Sequence, residues 1–589
     1  MAVPGFSPRP ESYFLRHLAA TLQHNPQVLV VSEGHGLPSL PDVQVTVAVR
    51  DHGEYGDCCS EDQLKAVKAI EHVVGGHRDR PLVITADRGR GKSAALGIAA
   101  ARLLADKLDY IVLTAPLASN VQTVFQHALQ LLDGAQLQGH VLSWQGRKIQ
   151  YLPPDELLRN LPAARLLLVD EAAAIPAALL SQMLDSYHRI VFTSTVHGYE
   201  GTGRGFAIRF ARELQERRPH YTSMTMQQPV RWAQHDPLEH AVAQLLWLDA
   251  EALPDDELRN SDVEHLSIEL IERGELSQQA SLMQQLVGLL TTAHYRTTPD
   301  DTRLLLDAPN MQVMLARRGD KLVGAVLLAV EGGLETELIA GITAGQRRPR
   351  GHILPQALWA QTGNPDLLAK PGWRVVRIAV HPALQRHGLG LRMLQQLRSL
   401  ALEQGIHYLG SSFGASADLL DFWRRAGYSP VSIGMRRDGS SGAHGLLVLQ
   451  GFDHTTAELV AHQRRRFAAT LPMLLTDELR QLESPIVVAL LSWLAPLAYT
   501  LETDDRVDVH DFVSGARSYE HCRLALWKAT LQLLADGQKS QQLEPLQREL
   551  IVGRILQQLD WTQLVQRSGL TGKTQMLACL RKALAHVVV

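Results

Sequence analysis

Two short strings in this chain combine residue types and spacings suited to chemistry on phosphates. The first is Ala86-Asp87-Arg88-Gly89-Arg90-Gly91-Lys92-Ser93, preceded by the apolar run Leu82 to Ala86 and followed by a segment with helical periodicity. In a strand-loop-helix setting, the backbone amides of Arg88, Gly89, Arg90, Gly91 and Ala94 point at phosphate oxygens. Lys92 neutralises the outer phosphates of a nucleoside triphosphate, and the Ser93 hydroxyl ligates magnesium. Ala86 stands where the pattern has its first glycine, so the match is one residue short. Further on, Leu166 to Val169 delivers Asp170-Glu171 to a strand's carboxyl end. Asp170 is thereby a second magnesium ligand, and Glu171 the catalytic carboxylate that polarises the attacking water.

The second string is Arg377-Ile378-Ala379-Val380-His381-Pro382, followed by Gln385-Arg386-His387-Gly388-Leu389-Gly390-Leu391. A strand ends at Val380, a short turn follows, and Gly388 and Gly390 open a helix whose first amides can hold a pyrophosphate. Glycine is needed there because a side chain would block the approach of the phosphates. The whole string resembles the acetyl-CoA signature of the GNAT acetyltransferases. The resemblance implies that the strand splays from its neighbour and that Ile378, Ala379 and Val380 hold the pantetheine arm. It also implies that Asp418 and Arg425, two turns apart on one later helix, contact the cofactor.

The elements that must position these residues follow from periodicity. Leu82 to Ala86, Tyr110 to Thr114, Leu166 to Val169 and Ile190 to Thr193 are short apolar strands alternating with helical patterns, which predicts a parallel sheet buried on both faces. After an acidic linker near Pro254 to Asp262, strands are expected at Met311 to Ala316, Leu322 to Val330, Leu334 to Ile342 and Trp373 to Val380. The first two are joined by a hairpin turn at Arg317 to Asp320. Beyond Gly451 the chain reads as helical, with Ile486 to Tyr499 a buried helix rather than a membrane span. Before Gln63 there is one strand-like run, Val28 to Val31. The expected organisation is α/β and multidomain: a short N-terminal region over 1–55, a RecA-like P-loop ATPase domain over 56–252, a GNAT α+β domain over 253–452 and a helical domain over 453–589.

With 589 residues, 45% of them hydrophobic and 20% charged, the chain is a globular protein of several domains, and its net charge of -3 excludes a uniformly basic nucleic-acid binder. Four cysteines, Cys58, Cys59, Cys522 and Cys579, match neither a disulfide framework nor a zinc knuckle. No secretion signal is visible at the N-terminus. A cytoplasmic protein without a membrane segment or a stable protein partner is expected.

Further segments resemble the superfamily helicases. Gln63 is similar to their adenine-reading glutamine. Phe192-Thr193-Ser194-Thr195 looks like their coupling strand, and Arg204, within Gly203-Arg204-Gly205, like an arginine reaching the γ-phosphate. An ATPase followed by a GNAT domain, with Asp170 to Pro176 and Gly198 to Gly205 as further matching strings, resembles the bacterial tRNA(Met) cytidine acetyltransferase family. That resemblance implies ATP, magnesium and acetyl-CoA as cofactors or co-substrates, elongator tRNA(Met) as partner, and acetylation of the exocyclic amine of the wobble cytidine. The region before Gln63 is shorter than that family's N-terminal domain and reads as a reduced one. Arg347, Arg348 and Arg350, with Arg464, Arg465 and Arg466, are candidate phosphate contacts for RNA. His381 is the candidate general base, with Glu335, Glu337 and His352 as rivals. A protein or small-molecule acetyltransferase with a regulatory ATPase domain is the alternative reading.

Overall fold

The computed structural model of the chain describes residues 11–31, 55–195, 210–211, 213–258, 265–293, 299–438, 442–497 and 499–588. Eight strands form the first sheet: β1 (Leu82–Ala86), β2 (Tyr110–Thr114), β3 (Gln136–Gln138), β4 (Val141–Trp144), β5 (Arg147–Tyr151), β6 (Leu166–Val169), β7 (Ile190–Thr195) and β8 (Thr222–Met226). Their order is β3-β4-β5-β2-β6-β7-β1-β8. All pairings from β5 to β8 are parallel, and β3 and β4 add an antiparallel edge. The expected strands are present because Leu, Ile and Val run continuously through them, as burial on both faces requires. Every residue of β6 is buried. Parallel pairing brings the carboxyl ends of β6, β7 and β1 to one edge, where a ligand crevice forms.

The second sheet has seven strands: β9 (Ser267–Ile271), β10 (Met311–Arg318), β11 (Lys321–Glu331), β12 (Gly372–Val380), β13 (Tyr408–Gly414), β14 (Ser429–Arg437) and β15 (His444–Gly451). They lie in the order β14-β15-β13-β12-β11-β10-β9. Only β12 and β13 are parallel neighbours, connected through the helix Leu389–Glu403. A two-residue turn, Gly319-Asp320, closes the β10–β11 hairpin, with Gly319 at φ +61.

Two expected strands are not formed. Leu334 to Ile342 lies in the helix Thr336–Thr343. The apolar residues Leu334, Leu338, Ile339 and Ile342 recur at helical spacing and pack on Leu368 and Trp359. Gly332 (φ +78) and Gly333 (φ +64) turn the chain off β11, and a Cβ on Gly332 would lie 2.1 Å from the Lys370 carbonyl oxygen. Val28 to Val31 takes no regular structure; Val28 is half-buried, and Leu29, Val30 and Val31 are exposed. The N-terminal part that does form structure is the helix Tyr13–His24, which docks on later elements: the Phe14 amide donates to Asp307, and His17 stacks on Trp247 at 3.6 Å.

Beyond β15 the chain is helical, from His454–Leu474 to Lys573–Val588. One apolar core runs from Val326 and Trp373 of the second sheet and Trp423 of the helix Ala417–Arg425 into Leu490, Phe512 and Leu580 of these helices. The run from Ile486 forms the helix Ser484–Leu494, seven of whose eleven residues are buried. Thr571 and Gly572 lead into the last helix, whose first residue, Lys573, pairs with Glu520 at 3.1 Å. No helix among the described residues is long and apolar enough to cross a membrane.

Asp453 fastens the sheet to the helical region. It caps the helix His454–Leu474 by accepting from the Thr456 amide at 2.9 Å, and it pairs with His407 at 2.7 Å and Lys370 at 3.3 Å. Burial opposes its charge, but these three partners outweigh burial and hold the carboxyl well below the usual carboxylate range. A depressed pKa contributes stability that is fully present above the unfolded-state value of about 4 and is lost as pH falls through the folded value. Denaturant melts of Asp453→Ala should show a loss of about 1 kcal/mol at neutral pH from the missing cap alone. They should also show a weaker fall in stability below about pH 4 than the parent chain.

Candidate functional site

The first site is built where β1 runs into the helix Lys92–Asp106. Gly89 (φ +80) and Gly91 (φ +86) carry the left-handed conformations of the loop. Ala86 replaces a glycine at no conformational cost, because it is still a strand residue, in register with Thr195 and Met226. Lys92 is 6% exposed, with Nζ 3.4 Å from the carbonyl oxygens of both Ala86 and Asp87. Its ammonium thus lies inside the curve of the loop. A cavity of about 420 Å³ opens in front of it, lined among others by Ser93, Ala94, Asn120, Glu171, Thr195 and Arg231.

The acid pair is held by β7. Asp170 is fully buried, and its Oδ1 accepts from the Thr193 hydroxyl at 2.6 Å and from the Glu171 amide at 3.0 Å. Its Oδ2 is buried with no hydrogen-bond partner among the described residues. An orphan carboxylate oxygen is costly unless a cation or water meets it, so this donor set fits a divalent ion. Glu171 adopts φ +47, a left-handed conformation rare for a non-glycine residue and costing on the order of 1–3 kcal/mol. Both of its carboxylate oxygens lie 3.0 Å from the Thr195 hydroxyl. Thr193 and Thr195 are two apart on one strand and share a face, so β7 orients both acids at once.

The structure places the other expected residues of this site as follows. Gln63 is buried; its Oε1 accepts from the Cys59 amide at 2.7 Å and its Nε2 donates to the Gly91 carbonyl at 3.2 Å. In this conformation Gln63 shapes the loop. Arg88 lines the cavity. Arg90 turns away from it, donating to Glu239 at 2.5 Å and to the Gln227 carbonyl at 3.1 Å. Arg204 and the string Gly198 to Gly205 lie outside the described residues. Sequence reasoning missed Trp232 and Glu239, which brace the loop from the far side. Trp232 packs against Gly89, where a Cβ would meet it at 2.6 Å, and donates to Glu239 at 2.6 Å. Nothing local to residues 232 and 239 signals a contact some 140–150 residues back along the chain.

The second site lies at the end of β12. This strand pairs with β13 only from Gly372 to Val375, while on its other side it stays paired with β11 as far as Val380. The register slips at Val376. Residues 376–380 therefore part from β13 and leave one backbone edge open, the splay that the resemblance implies for Ile378, Ala379 and Val380. The turn is folded on itself: Gln385 donates to the Val380 carbonyl at 3.0 Å, and Arg386 takes φ +64. Gly388 (φ +83) caps the helix Leu389–Glu403, and a Cβ on Gly390 would lie 3.1 Å from Phe422. The amides of 387–391 thus point out of a helix start with no carboxylate cap. Arg386 is largely exposed and sits 4.0 Å from Asp418, at the start of the helix Ala417–Arg425. Arg425 pairs with Asp421 at 2.6 Å rather than with Asp418.

His381 is not placed to act as a base. It is 1% exposed; its Nδ1 accepts from the Ala383 amide at 3.3 Å and its Nε2 donates to the Leu253 carbonyl at 2.6 Å. Both nitrogens are engaged on the main chain, which leaves no free lone pair for a substrate proton. His352 is likewise fully buried, accepting from the Gly332 amide at 3.0 Å. Glu335 and Glu337 are exposed at the N-terminus of the helix Thr336–Thr343. Among the basic residues, Arg347, Arg348, Arg350, Arg465 and Arg466 are exposed. Arg464 instead donates to the carbonyls of Trp493 and Ala495, closing the end of the helix Ser484–Leu494. It is a structural residue and not a phosphate contact.

Residues 83–249 match the helicase-domain model of the RNA cytidine acetyltransferase NAT10/TcmA family, and residues 285–405 and 400–453 match the model GNAT acetyltransferase 2. The first match goes with nucleotide binding and the second with acetyl-CoA. The tRNA(Met) cytidine acetyltransferase TmcA of Nitrosococcus halophilus is 41% identical over 581 residues, covering 98% of this chain and 78% of that protein. TmcA of Vibrio cholerae is 36% identical over 561 residues, covering 95% and 76%, and TmcA of Haloferax volcanii 34% identical over 518 residues, covering 86% and 67%. With two glycine-led, uncapped helix starts in the two matched regions and identity along nearly its whole length, the chain belongs to the tRNA(Met) cytidine acetyltransferase family.

Proposed function

We propose that this chain acetylates the exocyclic amine of the wobble cytidine of elongator tRNA(Met) in the cytoplasm, using acetyl-CoA as donor and coupling the transfer to ATP hydrolysis. The observation that carries the reading is the presence, in one chain, of two glycine-turned helix starts in complementary settings. One stands before an oriented acid pair, and the other beside a splayed strand. Residues 56–252 form the ATPase part, 253–452 the acetyltransferase part and 453–589 a helical part that helps hold RNA.

At the first site, the loop amides from Arg88 to Ala94 and Lys92 bind the triphosphate. Ser93 and Asp170 are the residues that would hold a magnesium ion, which when bound neutralises charge developing between the outer phosphates. Glu171, oriented by Thr195, takes a proton from the attacking water. At the second site, the open edge of Ile378 to Val380 binds the pantetheine arm and offers an amide to the thioester carbonyl, where negative charge develops during attack. The amides of Gln385 to Leu391 hold the pyrophosphate, and Asp418 lies at the rim of that site. An unstacked anticodon base is the form of RNA that such a pocket accepts. The exposed Arg347, Arg348 and Arg350, with Arg465 and Arg466, hold the phosphate backbone without reading sequence.

The deciding experiment incubates the purified chain with labelled acetyl-CoA, ATP and either tRNA or protein, followed by nucleoside mass spectrometry. Acetylcytidine in elongator tRNA(Met) supports the reading, and label appearing only in protein overturns it. Lys92→Ala and Glu171→Gln should each lower ATP turnover by about a hundredfold or more, as losing a transition-state contact does, and should lower RNA acetylation with it. Glu171→Gln should still bind nucleotide in a direct binding assay. Gly388→Ala forces a side chain into a left-handed conformation at roughly 1–2 kcal/mol, and Gly390→Ala presses on Phe422. Both should raise the KM for acetyl-CoA and leave ATP binding unchanged, as read by steady-state kinetics.

A further inference from the structure

One continuous segment, Pro237 to Leu258, touches both phosphate-binding turns. Its helix, Pro237–Leu246, begins with an Asp236 cap that positions Glu239 in the first turn. Glu239 Oε1 accepts from Arg90 of the first loop at 2.5 Å, and Oε2 accepts from Trp232 at 2.6 Å, the ring packed against Gly89. Val230 and Arg231 donate their amides to the Gly89 carbonyl at 2.9 and 3.3 Å. At the other end, the Leu253 carbonyl accepts from His381 Nε2 at 2.6 Å, and His381 directly precedes the turn that opens the second phosphate site.

Between these ends the segment is held against sliding. His17 donates to the Leu245 carbonyl at 3.2 Å and stacks on Trp247, fixing the helix end from the N-terminal side. Gly288 is pressed so closely on Glu251 that a Cβ would lie 2.1 Å from its carbonyl carbon. Lys321 pairs with Glu257 at 3.0 Å, and Leu258 is fully buried in the core of the second sheet. A packed element gripped at both ends passes a displacement at one end to the other, because close-packed interiors do not deform smoothly.

We infer that this segment couples the two sites, and that His381 is a positioning residue through which nucleotide at the first loop changes the affinity for coenzyme A at the second. The inference rests on the two-site reading above. By linkage, the factor by which nucleotide alters coenzyme A affinity equals the factor by which coenzyme A alters nucleotide affinity.

The two halves of the imidazole do separable jobs, which gives a selective test. His381→Asn keeps an acceptor near the Nδ1 position for the Ala383 amide but has no donor that reaches Leu253. His381→Gln keeps a donor near the Nε2 position. Isothermal titration of coenzyme A into the full chain, with and without a non-hydrolysable ATP analogue, should give an affinity ratio of about fivefold or more in the parent chain. The ratio should fall to unity in His381→Asn and return in His381→Gln, with the pH profile of acetyl transfer unchanged in shape, which a lost general base would not allow. A parent ratio of one, or a full ratio in His381→Asn in a variant whose circular dichroism matches the parent, overturns the coupling while leaving the two-site reading intact. Failure of the parent chain to bind either ligand overturns that reading instead.

Discussion

The first amides of a helix have no partner within the helix and must find an acceptor elsewhere. In both halves of this chain a β-strand ends in a turn of left-handed residues that delivers a helix start into a crevice: Gly89 and Gly91 ahead of Lys92, Arg386 and Gly388 ahead of Leu389. Neither helix start carries a side-chain cap. A serine or aspartate cap would satisfy these amides internally and close the site to anionic ligands. Leaving them uncapped makes each helix start depend on water or a phosphate, and the surrounding sheets exist to hold these two starts in place.

What differs between the halves is the neighbour brought to the helix start. In the first sheet, parallel order sets β7 between β6 and β1, so the hydroxyls of Thr193 and Thr195 reach the acids at the end of β6. A buried carboxylate oxygen without a partner and a glutamate in a strained conformation are both unfavourable for folding alone. They persist because the strands on either side are buried along all but one residue each and hold the backbone in place. In the second sheet, the neighbour is a missing one: β13 leaves β12 after Val375, and the gap exposes backbone that a closed sheet would have paired.

The contact between the halves is equally specific. The segment from Pro237 to Leu258 is anchored by Glu239 under one turn and by His381 at the base of the other, with the N-terminal helix laid across its middle. A second meeting place is a cleft of about 970 Å³ lined by Ile175 and Pro176, just past the acid pair, and by Arg437, Gly442 and Glu483. Its lining carries charges of both signs, including the pair of Arg437 with Glu483 at 2.9 Å.

By itself the sequence determined the chemistry-bearing strings, the parallel strands that carry the first of them and the strand that carries the second. These are local: continuous apolar runs, glycines at fixed offsets and acids after a strand constrain the backbone within about ten residues. Only the tertiary structure decided what each polar side chain faces. Leu334 to Ile342 is apolar enough for either period, and two glycines with packing on Leu368 made it a helix. His381 has the right type and position for a base, yet the Leu253 carbonyl, 128 residues away, engages the nitrogen a base would need. Arg464 sits in a basic run, yet its guanidinium closes a helix 29 residues further on. The physical reason is the same in each case: a polar group's role is set by the partner that satisfies it, and that partner is brought by the fold from far along the chain.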